Sequence, residues 1–209
     1  MSADSIYPVC RATLDLEDPW AVPARAPRVP LVRSSDGSRP RLDSGFAAYH
    51  DGKRLFVVFL ADDDHLVATY LEHDEPLWEE DVVEVFLAPE RPERYFEIEV
   101  NPLGTTFDAV IDSPRLERES MMIDRGWTCE GLRTAIRRTT IDGSVRVETL
   151  ISIPLRAFGA AFASGARWRA NFFRIDRSPD GDEFSAWRAT GRTPADFHVP
   201  RAFGTLVFE

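Results

Sequence analysis

The chain has 209 residues, 44% of them hydrophobic and 29% charged, which is enough to bury one core, and we expect a single domain over residues 1–209 with an irregular N-terminal segment over about 1–43. Its formal net charge of −10 argues against a nucleic acid or an anionic membrane as partner, because both need a cationic face. No apolar run approaches the roughly 18 residues of a membrane span, and the start lacks the pattern of a signal peptide, so the sequence predicts a cytoplasmic protein unless an export signal has been removed from it.

The first forty residues are rich in proline and arginine, a composition that favours extended, irregular segments over helices. We expect this segment to wrap around the core with at most one edge strand, and Trp20 to act as a core anchor. The two cysteines, Cys10 and Cys129, lie far apart without C-x-x-C spacing, which excludes a zinc ribbon and a redox motif. Two unpaired thiols are expected, with a disulfide as the alternative.

From residue 44 onward, short β-type runs alternate with turn signals. The expected strands are, in chain order, "SGFAAYH", "RLFVVFLA", "DVVEVFLA", "YFEIEVNP", "TTFDAVID", "LRTAIRRTTID", "SVRVETLISI", "RWRANFFRID", "FSAWRAT" and "GTLVFE". Hairpin turns are indicated by "HDGKR" at 50–54 and "IDGSVRV" at 141–147. Only "PLRAFGAAFASG" at 154–165 has the Pro start and Gly stop of a short helix. The sequence therefore predicts an all-β fold, an antiparallel β-sandwich of two packed sheets with one short helix.

Strand alternation divides "DVVEVFLA" and "YFEIEVNP" into two faces. The core face consists of Val83, Val85, Leu87, Phe96, Ile98 and Val100. The opposite face carries Val82, Glu84, Phe86, Tyr95, Glu97, Glu99 and Asn101. Like charges at alternate positions on one face repel, so this acidic row needs an arginine, a cation or a hydroxyl-rich ligand. A solvated sheet face remains the alternative for any single glutamate.

Two oxygen-rich loops, "ADDDH" at 61–65 and "PDGDE" at 179–183, carry ligands of the kind that calcium uses, although neither completes an EF-hand. The metal candidates are Asp62, Asp63, Asp64, Asp180 and Asp182. Solvated turns are the alternative interpretation.

The C-terminal third adds Asn171, Arg174, Trp187 and His198, residue types that hydrogen-bond to sugar hydroxyls or stack on pyranose faces. Each has a structural alternative: Trp187 as a core residue, Asn171 as a cap, and Arg174 as the partner of the acidic strand face. A glycoside hydrolase or lyase that uses Glu84 and Glu97 as paired carboxylates is the alternative function, although nothing in the sequence marks one as acid and the other as base.

The pattern W-x-x-D-x-V-E-V-F-L that begins at Trp78, followed by "YFEIEVNPLGTTFD", "WRANFFRID", "SAW" and "FHVPRAFGTLVF", resembles the family 9 carbohydrate-binding modules and their DOMON-like relatives. The resemblance covers the chain from about Trp20 to its end, and it implies a β-sandwich that holds the end of a glycan between two tryptophans. By position, Trp78 resembles one of these tryptophans, Glu84 the hydroxyl-binding carboxylate and Asn171 the amide of a later strand.

The sequence departs from this family at Arg174, which stands where the second tryptophan is expected, so that Trp187 becomes the candidate replacement. The resemblance implies non-catalytic binding of a plant-type or bacterial glycan in carbohydrate catabolism, with no required cofactor and with structural calcium as an option. The expected ligand contacts are Trp78, Glu84, Glu97, Glu99, Asn101, Asn171, Arg174, Trp187 and His198. A haem domain of the same superfamily would need axial ligands, for which Met121, Met122 and His198 are the candidates.

Overall fold

Short runs of alternating residues form strands along most of the chain, and the computed structural model describes residues 5–141, 144–159 and 163–209. The strands are β1 Ile6–Arg11, β2 Val29–Pro30, β3 Val32–Arg33, β4 Ser44–His50, β5 Arg54–Asp63, β6 Val82–Ala88, β7 Arg94–Val100, β8 Thr106–Asp112, β9 Met122–Asp124, β10 Arg133–Ile141, β11 Ser144–Pro154, β12 Arg167–Asp176, β13 Glu183–Ala186 and β14 Gly204–Phe208. Four 3₁₀ turns cover Leu77–Glu79, Arg118–Ser120, Leu155–Phe158 and Pro200–Ala202.

The strands form two sheets, which confirms the all-β sandwich. The first sheet has the antiparallel order β14-β12-β6-β7-β8-β9, with β13 beside β12 and β3 beside β13. The second sheet has the antiparallel order β10-β11-β5-β4, with β2 beside β4. All ten strands expected from the sequence are present, because each combines β-type alternation with a turn signal at its end.

Strand β1 corrects the expectation for the N-terminal segment. It pairs parallel to β14 through Ile6–Val9 and parallel to β4 through Cys10–Arg11, so it joins the two sheets and is not an edge strand. Its Tyr7 side chain is buried, and the hydroxyl donates to Pro27 O at 2.7 Å and accepts from Ala48 N at 2.7 Å. A short run that contains a proline gives only a weak strand signal, and no local pattern reveals its parallel partners.

The expected helix at 154–165 is, within the described residues, the 3₁₀ turn Leu155–Phe158, which ends at Gly159 with a φ of +67°. The expected hairpin at 50–54 joins β4 to β5, and β10 pairs with β11 as predicted, while residues 142–143 of that turn lie outside the described residues. Cys10 and Cys129 are buried and unpaired, as expected. No helix among the described residues has the length and apolar character that a bilayer crossing requires.

The main core lies between the two sheets. Phe46 of β4 stacks on Phe172 of β12 with ring centroids 3.9 Å apart, and Val85 and Ile98 point into the same layer. Trp187, just after β13, also enters this layer, where its ring packs against Phe46 and Phe172. The alternation predicted for β6 and β7 is therefore confirmed on the core side.

The outer face of the first sheet is also buried, whereas the outer faces of a β-sandwich are commonly exposed to water. Phe86, Tyr95 and Phe173 lie on this outer face together with the acidic residues. The segment between β13 and β14 folds across them: Phe197 stacks on Phe173 at 4.2 Å, and Phe203 packs edge-on against Tyr95. Because three large rings would otherwise be exposed, their burial explains why this segment stays on the sheet.

The contact between Gly204 and Trp187 leads to a stability prediction. A Cβ at Gly204 would lie within 2.6 Å of Trp187 Cζ3, so Gly204→Ala should force the indole out of its place and lower the free energy of unfolding by about 1–3 kcal/mol. Urea denaturation measures this loss. Gly126→Ala, in a turn where the nearest atom is the flexible carboxylate of Asp124 at 3.2 Å, is the control and should cost much less. Equal losses in both variants would contradict the role given to this contact.

Candidate functional site

A cavity of about 300 Å³ lies on the outer face of the first sheet, between the sheet and the segments that cover it. Its lining consists of Trp78, Glu84, Glu97, Glu99, Phe107, Arg118, Ile123, Arg125, Ile175, Arg177, Phe184, Ala195, Asp196, Phe197 and His198. Strands β6, β7, β8 and β12 supply the floor, and the loops before β6, around β9 and between β13 and β14 supply the walls. Five of the nine expected contacts, Trp78, Glu84, Glu97, Glu99 and His198, meet here.

Three glutamates form the floor of this cavity, and we call them the carboxyl triad: Glu84, Glu97 and Glu99. Glu84 lies directly opposite Glu99 in the β6–β7 ladder, and Glu97 precedes Glu99 by two residues on the same face. Each offers a carboxyl oxygen, and these oxygens lie within 4.8 Å of one another. The side chains are only 2%, 5% and 1% exposed, so the triad is a buried group and not a solvated acidic row.

Burial controls the protonation of the triad. It raises the pKa of Glu84 and Glu99 well above the usual range, and the repulsion between neighbouring carboxylates adds to this effect. Burial also raises the pKa of Glu97 to about 7. Oε2 of Glu99 has no hydrogen-bond partner among the described residues. A buried carboxyl oxygen without a partner is costly, so Glu99 keeps unused hydrogen-bonding capacity that a ligand can meet.

Trp78 forms one wall of the cavity from the 3₁₀ turn that precedes β6. Its indole packs edge-on against Phe107 with the ring centroids 5.2 Å apart, and the Arg125 guanidinium lies over the indole at 5.1 Å from the centroid. Nη2 of Arg177 donates to the carbonyl of Trp78 at 2.5 Å, which fixes the turn on the end of β12. The backbone of Trp78 is therefore fixed by a hydrogen bond, while its side chain stays partly exposed.

His198 belongs to the segment that covers the outer face. Its Nδ1 lies 3.0 Å from the Tyr95 hydroxyl, and its Nε2 lies 3.9 Å from Oε1 of Glu97. Burial lowers the pKa of His198 to about 4, so the ring is neutral near pH 7 and can donate from one nitrogen only. If the Tyr95 hydroxyl donates to Nδ1, the proton on Nε2 points toward the carboxyl triad.

Trp187, Asn171 and Asn101 do not line this cavity, so the structure does not bring them together with Trp78 and the glutamates. Trp187 lies in the core between the sheets, so it cannot face Trp78 across a cleft. The Asn171 amide donates to Arg188 O at 2.9 Å and accepts from Arg188 N at 2.9 Å, which pins β12 to the segment after β13. Asn101 closes its own turn by accepting from Leu103 N and Thr105 N.

Arg174 is also absent from the cavity, because alternation along β12 turns it to the opposite side of the sheet from Phe173. Its Nη2 donates to Asp63 at 3.1 Å and to Asp176 at 2.9 Å, and all three side chains are buried. The structural alternative made Arg174 the partner of the acidic strand face, but its partners are Asp63 and Asp176 and not the carboxyl triad. The neighbouring Asp81 accepts from Val67 N at 2.5 Å and from Arg177 N at 2.7 Å.

The metal candidates are mostly engaged by arginines. Asp62 pairs with Arg146, Asp64 with Arg41, and Asp182 with Arg177. Asp63 belongs to the buried group around Arg174, and Asp180 is exposed. A calcium ion in either loop would therefore have to displace a guanidinium group, so the donor sets of these loops do not fit such an ion well.

Sequence reasoning missed the arginines of the cavity and most of its aromatic wall. Arg118 pairs with Asp196 at 2.6 Å, and Arg125 follows β9, a strand that was not expected. These residues come from loops that carry no recognisable motif. Only the tertiary structure shows that they line the cavity. The two methionines named with His198 as haem ligands lie in different environments. Met121 Sδ accepts from the Tyr95 hydroxyl at 3.6 Å, and Met122 is exposed.

A family model described as carbohydrate-binding family 9 matches residues 37–208 of the chain. A curated relative from Arthroderma benhamiae, described as an extracellular protein, is 27% identical over 144 residues. That match covers 65% of this chain and 64% of the relative's own length.

Solved structures with the same fold include three with low sequence identity. A Bacteroides uniformis protein for which carbohydrate binding is proposed has a TM-score of 0.78 at 19% identity, covering 99% of this chain and all of that one. A family 9 carbohydrate-binding module from Caldicellulosiruptor kristjanssonii, in complex with cellotriose, has a TM-score of 0.60 at 14% identity, covering 98% and 94%. The complex of such a module with glucose has a TM-score of 0.58 at 14% identity, covering 98% and 96%.

The position of Arg174 predicts a structural effect. Arg174→Met roughly keeps the volume of the side chain but leaves the buried Asp63 without its arginine and leaves Asp176 with Arg41 alone, so the free energy of unfolding should fall by about 3–5 kcal/mol. Chemical denaturation near neutral pH measures this fall. Arg39→Met, which breaks the exposed pair with Asp43, is the matched control and should cost less than about 1 kcal/mol. A loss in Arg174→Met no larger than that of the control would contradict the pairing.

The carboxyl triad predicts that stability falls as pH rises. The folded state holds the proton of Glu97 to a pKa of about 7, against 4.5 for a glutamate in water, so this stabilising contribution is fully present below about pH 4.5 and is lost as the pH rises through about 7. Denaturation at about pH 5 and about pH 8 should show a loss on the order of 2–3 kcal/mol from this group, and a smaller loss in Glu97→Gln. Parallel pH profiles for the two proteins would contradict this interpretation.

Proposed function

The chain belongs to carbohydrate-binding family 9, and on that premise we propose that the cavity beside Trp78 binds the end of a saccharide without cleaving it. One observation carries the proposal: a partly exposed indole and three buried carboxyl groups line the same cavity. An indole packs against the apolar C–H face of a pyranose, and carboxyl groups bond to its hydroxyls in a site shielded from water.

The shape of the cavity favours the end of a glycan. The carboxyl triad and strands β6 and β7 close its floor, so a chain that enters past Trp78 cannot continue through the sheet. A second cavity of about 480 Å³ shares Arg118, Asp196 and His198 with the first. It gives room for further sugar units beside the terminal one. A plant-type or bacterial glycan, bound in support of carbohydrate catabolism, is the ligand that we infer.

The geometry gives little support to the hydrolase or lyase alternative. A glycosidase needs two carboxyl groups in different protonation states, about 5 Å or more apart, that flank the bond to be broken. Glu84 and Glu97 share one face of the sheet and one buried environment, and burial raises the pKa of both. Both would approach a sugar from the same side. The family is also described by binding and not by catalysis.

Calorimetry with xylo- and cello-oligosaccharides tests the proposal. We expect a binding free energy of about 4–8 kcal/mol, which corresponds to millimolar to micromolar dissociation constants. Trp78→Ala removes the stacking wall and should weaken binding at least about tenfold.

Trp20→Ala is the matched control, because Trp20 is also a partly buried indole with an arginine, Arg137, over its ring, but it lies outside the cavity. It should bind like the unchanged protein. The absence of heat from every saccharide, or equal affinity in Trp78→Ala, would overturn the proposed site. New reducing ends released from a polysaccharide, and lost in Glu84→Gln, would instead favour the hydrolase.

A further inference from the structure

Among the described residues, no arginine or lysine forms an ion pair with the carboxyl triad, although three arginines line the same cavity. Arg118 is paired with Asp196 at 2.6 Å, and Arg177 is engaged by Asp182 and by the carbonyl of Trp78. Arg125 lies over the rings of Trp78 and Phe107. The nearest basic group is His198, whose Nε2 lies 3.9 Å from Oε1 of Glu97, and this histidine is neutral near pH 7. Arg118, Arg125 and Arg177 attract the triad's negative charge from a distance, without an ion pair among the described residues.

The contrast with the second buried acidic group shows what is missing. Around Asp63, Asp81 and Asp176, every carboxylate oxygen accepts a hydrogen bond from an arginine or a backbone amide. That group is complete within the protein. In the triad, Oε2 of Glu99 is buried, has no hydrogen-bond partner among residues 5–141, 144–159 and 163–209, and belongs to a residue that lines a cavity. A positive charge at this place would let the carboxyl groups ionise and accept charge-assisted hydrogen bonds.

The walls of the cavity favour an organic cation over a bare metal ion. Trp78, Phe107, Phe184 and Phe197 surround the space above the triad. Aromatic faces attract an ammonium group and pack against the C–H groups that carry it, whereas a hard metal ion uses oxygen ligands and gains nothing from rings. Three carboxyl oxygens within 4.8 Å of one another also match the three N–H donors of a primary ammonium group.

We infer that the saccharide carries a primary ammonium group, as an amino sugar with a free amine does, and that this group binds among Glu84, Glu97 and Glu99 while the ring packs on Trp78. The inference rests on the proposed saccharide site and names the chemical class of its ligand. The amine must be unsubstituted, because an acetyl group would remove both its charge and two of its three donors.

Calorimetry near pH 7 with matched sugars tests the inference. The pairs are glucosamine and glucose, galactosamine and galactose, and chitosan and cello-oligosaccharides of equal length. We expect the amine of at least one pair to bind about tenfold or more tightly than its neutral partner, with N-acetylglucosamine falling back to the affinity of glucose. Affinity for the amine should rise from about pH 5 to about pH 7, because the triad must release protons when the ammonium binds.

Two variants distinguish binding at the triad from a general effect of the protein's negative charge. Glu99→Gln replaces the unpaired carboxyl oxygen by a neutral amide of the same shape, and the ratio of amine to neutral affinity should fall toward one. Glu90→Gln, an exposed residue between β6 and β7 outside the cavity, removes the same charge and should leave the ratio unchanged.

Four outcomes overturn the inference in distinguishable ways. If neutral sugars bind and the amines bind no better, the ligand class is wrong while the saccharide site stands. If no sugar of any pair binds, both proposals fail. If ethanolamine binds as tightly as glucosamine, the site holds an amine but not a sugar. If calcium chloride alone gives heat that Glu99→Gln abolishes, the triad is a metal site.

Discussion

The buried opposition of Glu84 and Glu99, with Glu97 beside them, is the constraint on which the candidate site depends. Strand pairing fixes the two acids directly across from each other, and the covering segment around Phe197 and His198 removes them from water. Like charges in a low dielectric repel strongly, so the free protein must keep protons on this triad. Such an arrangement costs stability, and a ligand that meets these groups recovers part of that cost.

The protein treats its two buried acidic groups in different ways. The aspartates around Arg174 are neutralised by that guanidinium and by backbone amides, so they hold the end of β12 against β5 and the loop before β6. Within the part of the chain that the structure describes, the triad has no guanidinium bonded to it in this way, and its cavity is walled by aromatic rings. Because the hydrogen bonds of the aspartates are all made within the protein, their role is structural. The carboxyl triad has an oxygen that is unbonded within the described residues, so it can still bond to a ligand.

The first sheet is buried on both faces, which decides the roles of the two tryptophans expected to stack on sugar. Trp78 precedes β6 on the outer side and keeps part of its ring accessible in the cavity. Trp187 follows β13 on the inner side and packs between the sheets, above a glycine that leaves room for it. The cavity therefore has the indole of Trp78 in its wall with the Arg125 guanidinium over it, and Trp187 lies outside it.

The sequence by itself determined the all-β class, ten of the strands, the two faces of β6 and β7 and the bunching of Glu84, Glu97 and Glu99, because alternation and turn residues act locally along the chain. It could not place Trp187, Asn171 or Arg174, since a strand pattern does not say which face a neighbouring strand or loop will cover. Only the tertiary structure decided that β1 joins the sheets, that Arg174 bonds to Asp63 and that Phe197 closes the outer face. These contacts join residues that are distant in the chain, and their energies depend on packing and burial that no local pattern contains.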